Sequence, residues 1–161
     1  MSTKSLDQAL EQLDKYSKAI QEGTNSGLIK ATTQLRDDII YNCGMVNSGN
    51  YTSEINSDYN LEENIGRVYT NSDVLVFNEI GTGVVGASNP HPDVNSVFKG
   101  WQYDHNNHGE TGWRYPKKDG SWGRTSGIRS KHMFYDGLEK LKREYKDIVS
   151  TEINAKINSR G

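Results

Sequence analysis

Val74-Leu75-Val76-Phe77-Asn78-Glu79-Ile80-Gly81-Thr82-Gly83 is the most apolar run in a polar chain whose mean hydropathy is −0.82. It is rich in β-branched and aromatic residues and stops at a Gly-Thr-Gly that frees the backbone to turn, so it reads as a central strand. Alternation then places Leu75, Phe77 and Glu79 on one face and Val74, Val76 and Ile80 on the other. A carboxylate at that strand end must be solvated at the rim or held by a cation from elsewhere.

Working outward, Ile65 to Thr70 reads as the antiparallel partner, with Asn71-Ser72-Asp73 as the connecting turn, and Tyr51 to Ile55 as a weak strand in an Asn/Ser/Gly/Tyr-rich loop. Before these, Leu6, Ala9, Leu10, Leu13, Tyr16 and Ile20 recur at helical spacing after a Ser5/Gln8 capping box. A Thr24-Asn25-Ser26-Gly27 break then leads to a second helix along Leu28, Ala31, Leu35, Ile39 and Cys43. After the central run, residues 82–100 hold Gly, Ser, Asn, Pro90 and Pro92 without periodicity and read as a long loop.

Gly100-Trp101-Gln102-Tyr103 and Gly112-Trp113-Arg114-Tyr115 echo each other and predict a projecting aromatic hairpin, with Lys118-Asp119-Gly120 turning the chain before Trp122. Phe134, Leu138, Leu141, Tyr145, Ile148, Val149 and Ile153 mark a long closing helix capped near Ser130. The fold class is therefore α+β in one domain, 1–161. It divides into a helical part at 5–44, a small antiparallel sheet at 50–81, the loop at 82–100, a β-arm at 100–123 and a C-terminal helix at 130–157 that packs on the sheet.

Composition narrows the functions. A formal charge of −2 excludes a generally basic nucleic-acid binder, and a single cysteine, Cys43, excludes a disulfide scaffold. Cys43 lies on an apolar helix stripe and reads as a buried small side chain. Residues 1–15 are polar with three acids, which suits neither a signal peptide nor a membrane span. Residues 1–64 carry five Lys/Arg against ten Asp/Glu, whereas Arg114 to Lys131 holds six cations and one acid among Tyr115 and Trp122. Such a basic aromatic arm tracks a single strand of nucleic acid or meets the acidic helices of another copy, and the opposite charge within one polypeptide favours the latter.

Two catalytic patterns fail on context. Gly81-Thr82-Gly83-Val84-Val85-Gly86 satisfies G-x-G-x-x-G, but Ala87-Ser88-Asn89-Pro90-His91-Pro92 cannot extend the required helix and no βαβ repeat surrounds it. His91, Asp93, Asp104, His105 and His108 are of metal-ligating types but sit in loops, with no ligand pair fixed on an element. No catalytic, cofactor or metal residues are assigned, and a metal-dependent hydrolase or nuclease, or a nucleic-acid-binding module using these loops and the arm, is the alternative reading.

The order of elements, with Ser48-Gly49-Asn50-Tyr51, Phe77-Asn78-Glu79-Ile80-Gly81-Thr82-Gly83 and Thr125-Ser126-Gly127 running into Met133-Phe134-Tyr135, resembles the tail-completion or head-tail joining proteins of long-tailed bacteriophages and prophages. The likeness covers most of the chain from about Leu28. It departs where that family often has proline, at Cys43-Gly44-Met45 and His132-Met133. The resemblance implies a non-enzymatic virion protein of the neck or tail, assembled in the host cytoplasm. It implies a homo-oligomeric ring, a hexamer or dodecamer, between the head connector and the tail-tube or terminator proteins, with DNA in its lumen and no membrane contact. Its candidate assembly residues are Glu79, Gly81, Thr82, Gly83, Trp101, Trp113, Tyr115, Trp122, Arg124 and Arg129. Glu79 is expected to be fixed by an arginine or by Gly-Thr backbone donors.

Overall fold

The computed structural model describes residues 3–45, 49–117 and 119–160. Ser48 of the loop motif and Lys118 of the turn lie outside them. The architecture is α+β, as the sequence implies: the described residues form four α-helices and five short strands, of which β1 pairs with β2 and β3 with β4. Contacts divide the chain into two compact units, both discontinuous in sequence: 1–38 with 56–69 and 138–161, and 39–55 with 70–137.

The first unit is a helix pair with a hairpin. Helix α1 runs unbroken over Thr3–Met45, so the expected pair of helices is one. The Thr24-Asn25-Ser26-Gly27 stretch, read as a break, is helical, and Gly27 and the preceding Gly23 serve packing. A Cβ on Gly23 would lie 2.4 Å from Ile153 Cα, and one on Gly27 2.9 Å from Val149 Cα. Bare backbone there lets α1 and helix α4 (Met133–Asn158) approach closely, which offsets the cost of two helical glycines. Lys30 pairs with Glu152 at 2.8 Å and Lys140 with Asp38 at 2.7 Å across the same two helices.

Strands β1 (Ile55–Asn60) and β2 (Ile65–Thr70) form a hairpin across a four-residue connection, which forces them antiparallel. Gly66 brings β2 against α1: a Cβ there would collide with the Thr32 hydroxyl. Thus Ile65–Thr70 is a strand as expected, but its partner is Ile55–Asn60, and Tyr51 lies in a 3-10 turn over Gly49–Glu54 that precedes it.

The second unit overturns the central strand. Asp73–Ile80 is helix α2. A short apolar run fits either element by composition, and here Ser72 stands at the N-cap position with Asp73 favourably placed in the first turn. Burial follows helical spacing: Leu75, Glu79 and Ile80 are inside while Val74 and Phe77 are exposed, so Phe77 does not share a face with Leu75. Residues 82–100 also hold more structure than a loop, since helix α3 (Gly83–Ala87) follows the Gly-Thr-Gly before Pro90 ends it.

The arm is shorter than expected. Strand β3 (Trp113–Pro116) pairs with β4 (Trp122–Thr125) in the register Trp113 to Thr125, Arg114 to Arg124, Tyr115 to Gly123 and Pro116 to Trp122. Trp101 and Tyr103 are not on a strand; the turns and the 3-10 segment Gly109–Thr111 separate them from β3. Strand β5 is the two residues Gly127–Ile128. No helix among the described residues is long and apolar enough to cross a membrane.

Candidate functional site

Glu79, near the C-terminal end of α2, is 5% exposed, and it is a carboxylate. Burying that charge costs several kcal/mol unless donors surround it. They do: Oε2 accepts from the Phe134 N–H at 2.9 Å, and Oε1 accepts from the Tyr135 N–H at 2.9 Å and from His91 Nε2 at 3.0 Å. Phe134 and Tyr135 open α4, where backbone N–H groups lack partners within the helix and the macrodipole is positive. Glu79 therefore caps α4 from a residue more than fifty positions upstream. Neither an arginine nor the Gly-Thr donors hold it, which corrects the expectation, because a helix start supplies both donors and positive potential in one place.

His91 is 2% exposed and fully used. Its Nδ1 accepts from the Asp93 N–H at 3.0 Å, which leaves the proton on Nε2 to donate to Glu79. The rings of Phe98, His132 and Tyr135 meet it edge-on at 4.9 to 5.4 Å. Ser130 does not cap α4 as expected; its hydroxyl donates to the carbonyl of Glu79, and the Lys131 N–H donates to that of Asn78. With Gly81 N–H on the Phe77 carbonyl, the segment Ser130–Lys131 closes the end of α2 while Glu79 closes the start of α4.

Beside this cap two glycine motifs cross. Thr82 and Gly83 bridge Ile128 and Gly127 in antiparallel fashion. Gly83 (φ +63°) and Gly127 (φ +120°) take left-handed backbone, and a Cβ on Gly127 would lie 1.9 Å from the Thr82 carbonyl oxygen. Only glycine permits this approach. Trp101 Nε1 donates to the Gly81 carbonyl at 3.2 Å, its ring 6.0 Å from that of Phe77, and the Tyr103 carbonyl accepts from Gly83 N–H while its hydroxyl accepts from His91 N–H. Glu79, Gly81, Thr82, Gly83 and Trp101 are thus one hydrogen-bonded junction.

A cleft of about 770 Å³ opens next to it, walled by Phe77, Trp101, Tyr103 and Trp113, with Asp104, His105 and His108 at its edge. Its polar groups are engaged internally. Asp104 accepts from Gly109 N–H at 2.7 Å and His108 N–H at 3.0 Å, and these bonds hold its carboxyl below the usual range. His105 bonds Gln102. Among the described residues no group of three or more His, Cys, Asp or Glu side chains is placed to hold a metal.

The remaining candidates lie on or near the arm. Tyr115 covers Gly123, whose missing side chain makes room for its ring, and Trp122 is 65% exposed opposite Pro116. Arg124 donates from Nε to the Thr111 carbonyl at 2.6 Å, and Arg114 and Arg129 are exposed. Trp113 faces the cleft against His108, rings 5.2 Å apart, so the three tryptophans do not form one aromatic surface.

Cys43 is buried as expected, its sulfur 3.5 Å from that of Met133. Burial, followed by the nearby Glu79 charge, pushes its thiol up to about 11, which disfavours the thiolate at neutral pH. The sequence marked Ser130 only as a cap for α4, gave no sign of the opening amides of that helix, and offered His91 only as a metal-ligating type that its loop setting argued against. The signal for His91 was present in part, since a histidine followed by Pro92-Asp93 can accept from the backbone two residues on. Set against known protein families, curated proteins and solved structures, the chain matches none.

Proposed function

We propose that the protein is a structural component of a bacteriophage neck or tail, a subunit of a ring that completes the tail and joins it to the head connector. The observation that carries this reading is the pairing of a fixed junction with an open arm. The residues of the resemblance, Glu79 to Gly83 and Thr125 to Gly127, hold one another and the start of α4 in place. Next in the chain to that anchor, β3 and β4 leave Tyr115 and Trp122 exposed between Arg114 and Arg124. A two-stranded hairpin has marginal stability alone, and exposed amphipathic rings flanked by cations suit a protein contact.

In that assembly the arm meets the acidic helical surface of the next copy, a head-to-tail contact that closes as a ring. The hydrolase alternative has less support, because both ring nitrogens of His91 are engaged and Asp104 is held by backbone amides. Light scattering over a concentration series tests the reading. The expected outcome is a ring-sized oligomer, alone or on mixing with connector or tail proteins, that Trp122→Ala impairs while far-UV circular dichroism is unchanged. A monomer that never assembles and binds single-stranded DNA in a salt-dependent manner would overturn it.

A further inference from the structure

Within the first unit α1 and α4 lie side by side in opposite directions. Lys140 meets Asp38, Gln34 meets Glu144, Gly27 meets Val149, Gly23 meets Ile153 and Arg160 meets Glu22. Because α4 ends at Asn158, about three turns of α1, from Leu6 to Tyr16, continue past the end of their partner, with Ile20 half-exposed at its edge. Residues 5–22 are exposed with the single exception of Ala19. Leu6, Leu10 and Leu13 are 60, 56 and 64% exposed, and Tyr16 and Ile20 both 47%.

Their spacing is that of a coiled-coil seam. Leu6, Leu13 and Ile20 take heptad position a, Ala9 and Tyr16 take d, and Leu10, Gln12, Ser17 and Ala19 flank them at e and g. Every charged residue from Asp7 to Glu22 falls at b, c or f, on the far side, where Lys15 pairs with Glu11 and Lys18 with Asp14. Seam and flanks are therefore free of charge. A partner recognised by opposite charge finds no counterpart here, whereas an identical charge-free seam meets no repulsion, and each further copy of this chain carries one.

We propose that residues 5–22 of α1 pair with the same segment of a second copy as a short two-stranded coiled coil. It extends the α1–α4 seam, which buries Ala19, Gly23 and Gly27, to an intermolecular partner. The five large side chains bury on the order of 500 Å² per chain, less than the ~800 Å² of a standard interface, so the contact is weak alone and strengthens a larger assembly. It does not rest on the phage-neck reading.

Oxidative cross-linking of the full chain tests it. Leu13 sits at a in the middle of the segment, opposite its own counterpart in a parallel pair and opposite Tyr16 of the second copy in an antiparallel one, so in either orientation its two copies lie on the seam and closer together than outer-face positions. Leu13→Cys is expected to form a disulfide dimer at least tenfold faster than Lys18→Cys on the outer face, while Cys43 is buried and does not compete. Equal rates for the two variants would overturn the proposal. In sedimentation, Leu6→Lys with Leu13→Lys should raise the dissociation constant at least tenfold with unchanged helicity, since these side chains contribute little to the fold. An oligomer that this double variant leaves intact would overturn the helix pairing and leave the arm-mediated ring standing. A wild-type monomer at every concentration would overturn it too.

Discussion

The Glu79 junction and the α1–α4 pair solve the same problem, bringing two helices and their backbones together, by opposite means. At the junction the contacts are polar and specific to single atoms: a carboxylate on two helix-start amides, a hydroxyl and an amide on helix-end carbonyls, and glycine backbones within van der Waals reach. Between α1 and α4 the contacts come from helical periodicity, with glycines admitting the neighbour's side chains and ion pairs at the edges. The first arrangement rests on single atoms; the second spreads its contacts over many turns, is tight only at Gly23 and Gly27, and leaves apolar surface at its open end. The chain thus combines a hydrogen-bonded junction, an arm with exposed rings and a helix with an exposed apolar seam, the features on which the two assembly proposals rest.

The sharpest way to break this comparison is to add one methyl group at each place. Gly127→Ala at the junction forces a Cβ into the Thr82 carbonyl at positive φ and should cost about 3 to 5 kcal/mol, read from denaturant midpoints. Within the helix pair, Gly27→Ala gains helix propensity but presses on Val149 at 2.9 Å. It should cost about 1 to 2 kcal/mol; a loss as large as that of Gly127→Ala would erase the distinction.

A thiol tests the polar side of the junction. The folded pKa of Cys43 is raised from 9.0 to about 11, so the stability tied to its neutral form is complete below pH 9 and is lost as pH rises towards 11. The loss approaches about 2 to 3 kcal/mol, and it should be absent in Cys43→Ala when the two stability curves are compared over that range. The smallest effect is expected at Gly44, also helical but with open space around a Cβ, where alanine should stabilise by roughly 0.5 kcal/mol; destabilisation there would mean that α1 is held at its end.

What could be read in the sequence follows the same division. The helix at 133–158 stands within three residues of the 130–157 expected, because Leu141, Tyr145, Ile148 and Val149 repeat at helical spacing over many turns. The stripe from Leu6 to Ile20 was equally legible, although not that α4 would end before covering it. Val74 to Ile80 was not, since seven residues are too few to separate a strand from a helix when the deciding contacts are long-range. Glu79, Gly83 and Gly127 drew attention as motifs, yet their roles depend on Phe134, Tyr135 and Thr82, which no local pattern connects to them.

If the buried Glu79 carboxylate caps α4, isosteric removal of its charge must weaken the fold. Urea unfolding of Glu79→Gln is to be compared with that of Glu62→Gln, whose side chain is on the exposed β1–β2 connection. Glu79→Gln should lose about 2 to 4 kcal/mol, and Glu62→Gln should change by no more than about 0.5 kcal/mol. Equal midpoints for the two variants would contradict the capping role of Glu79.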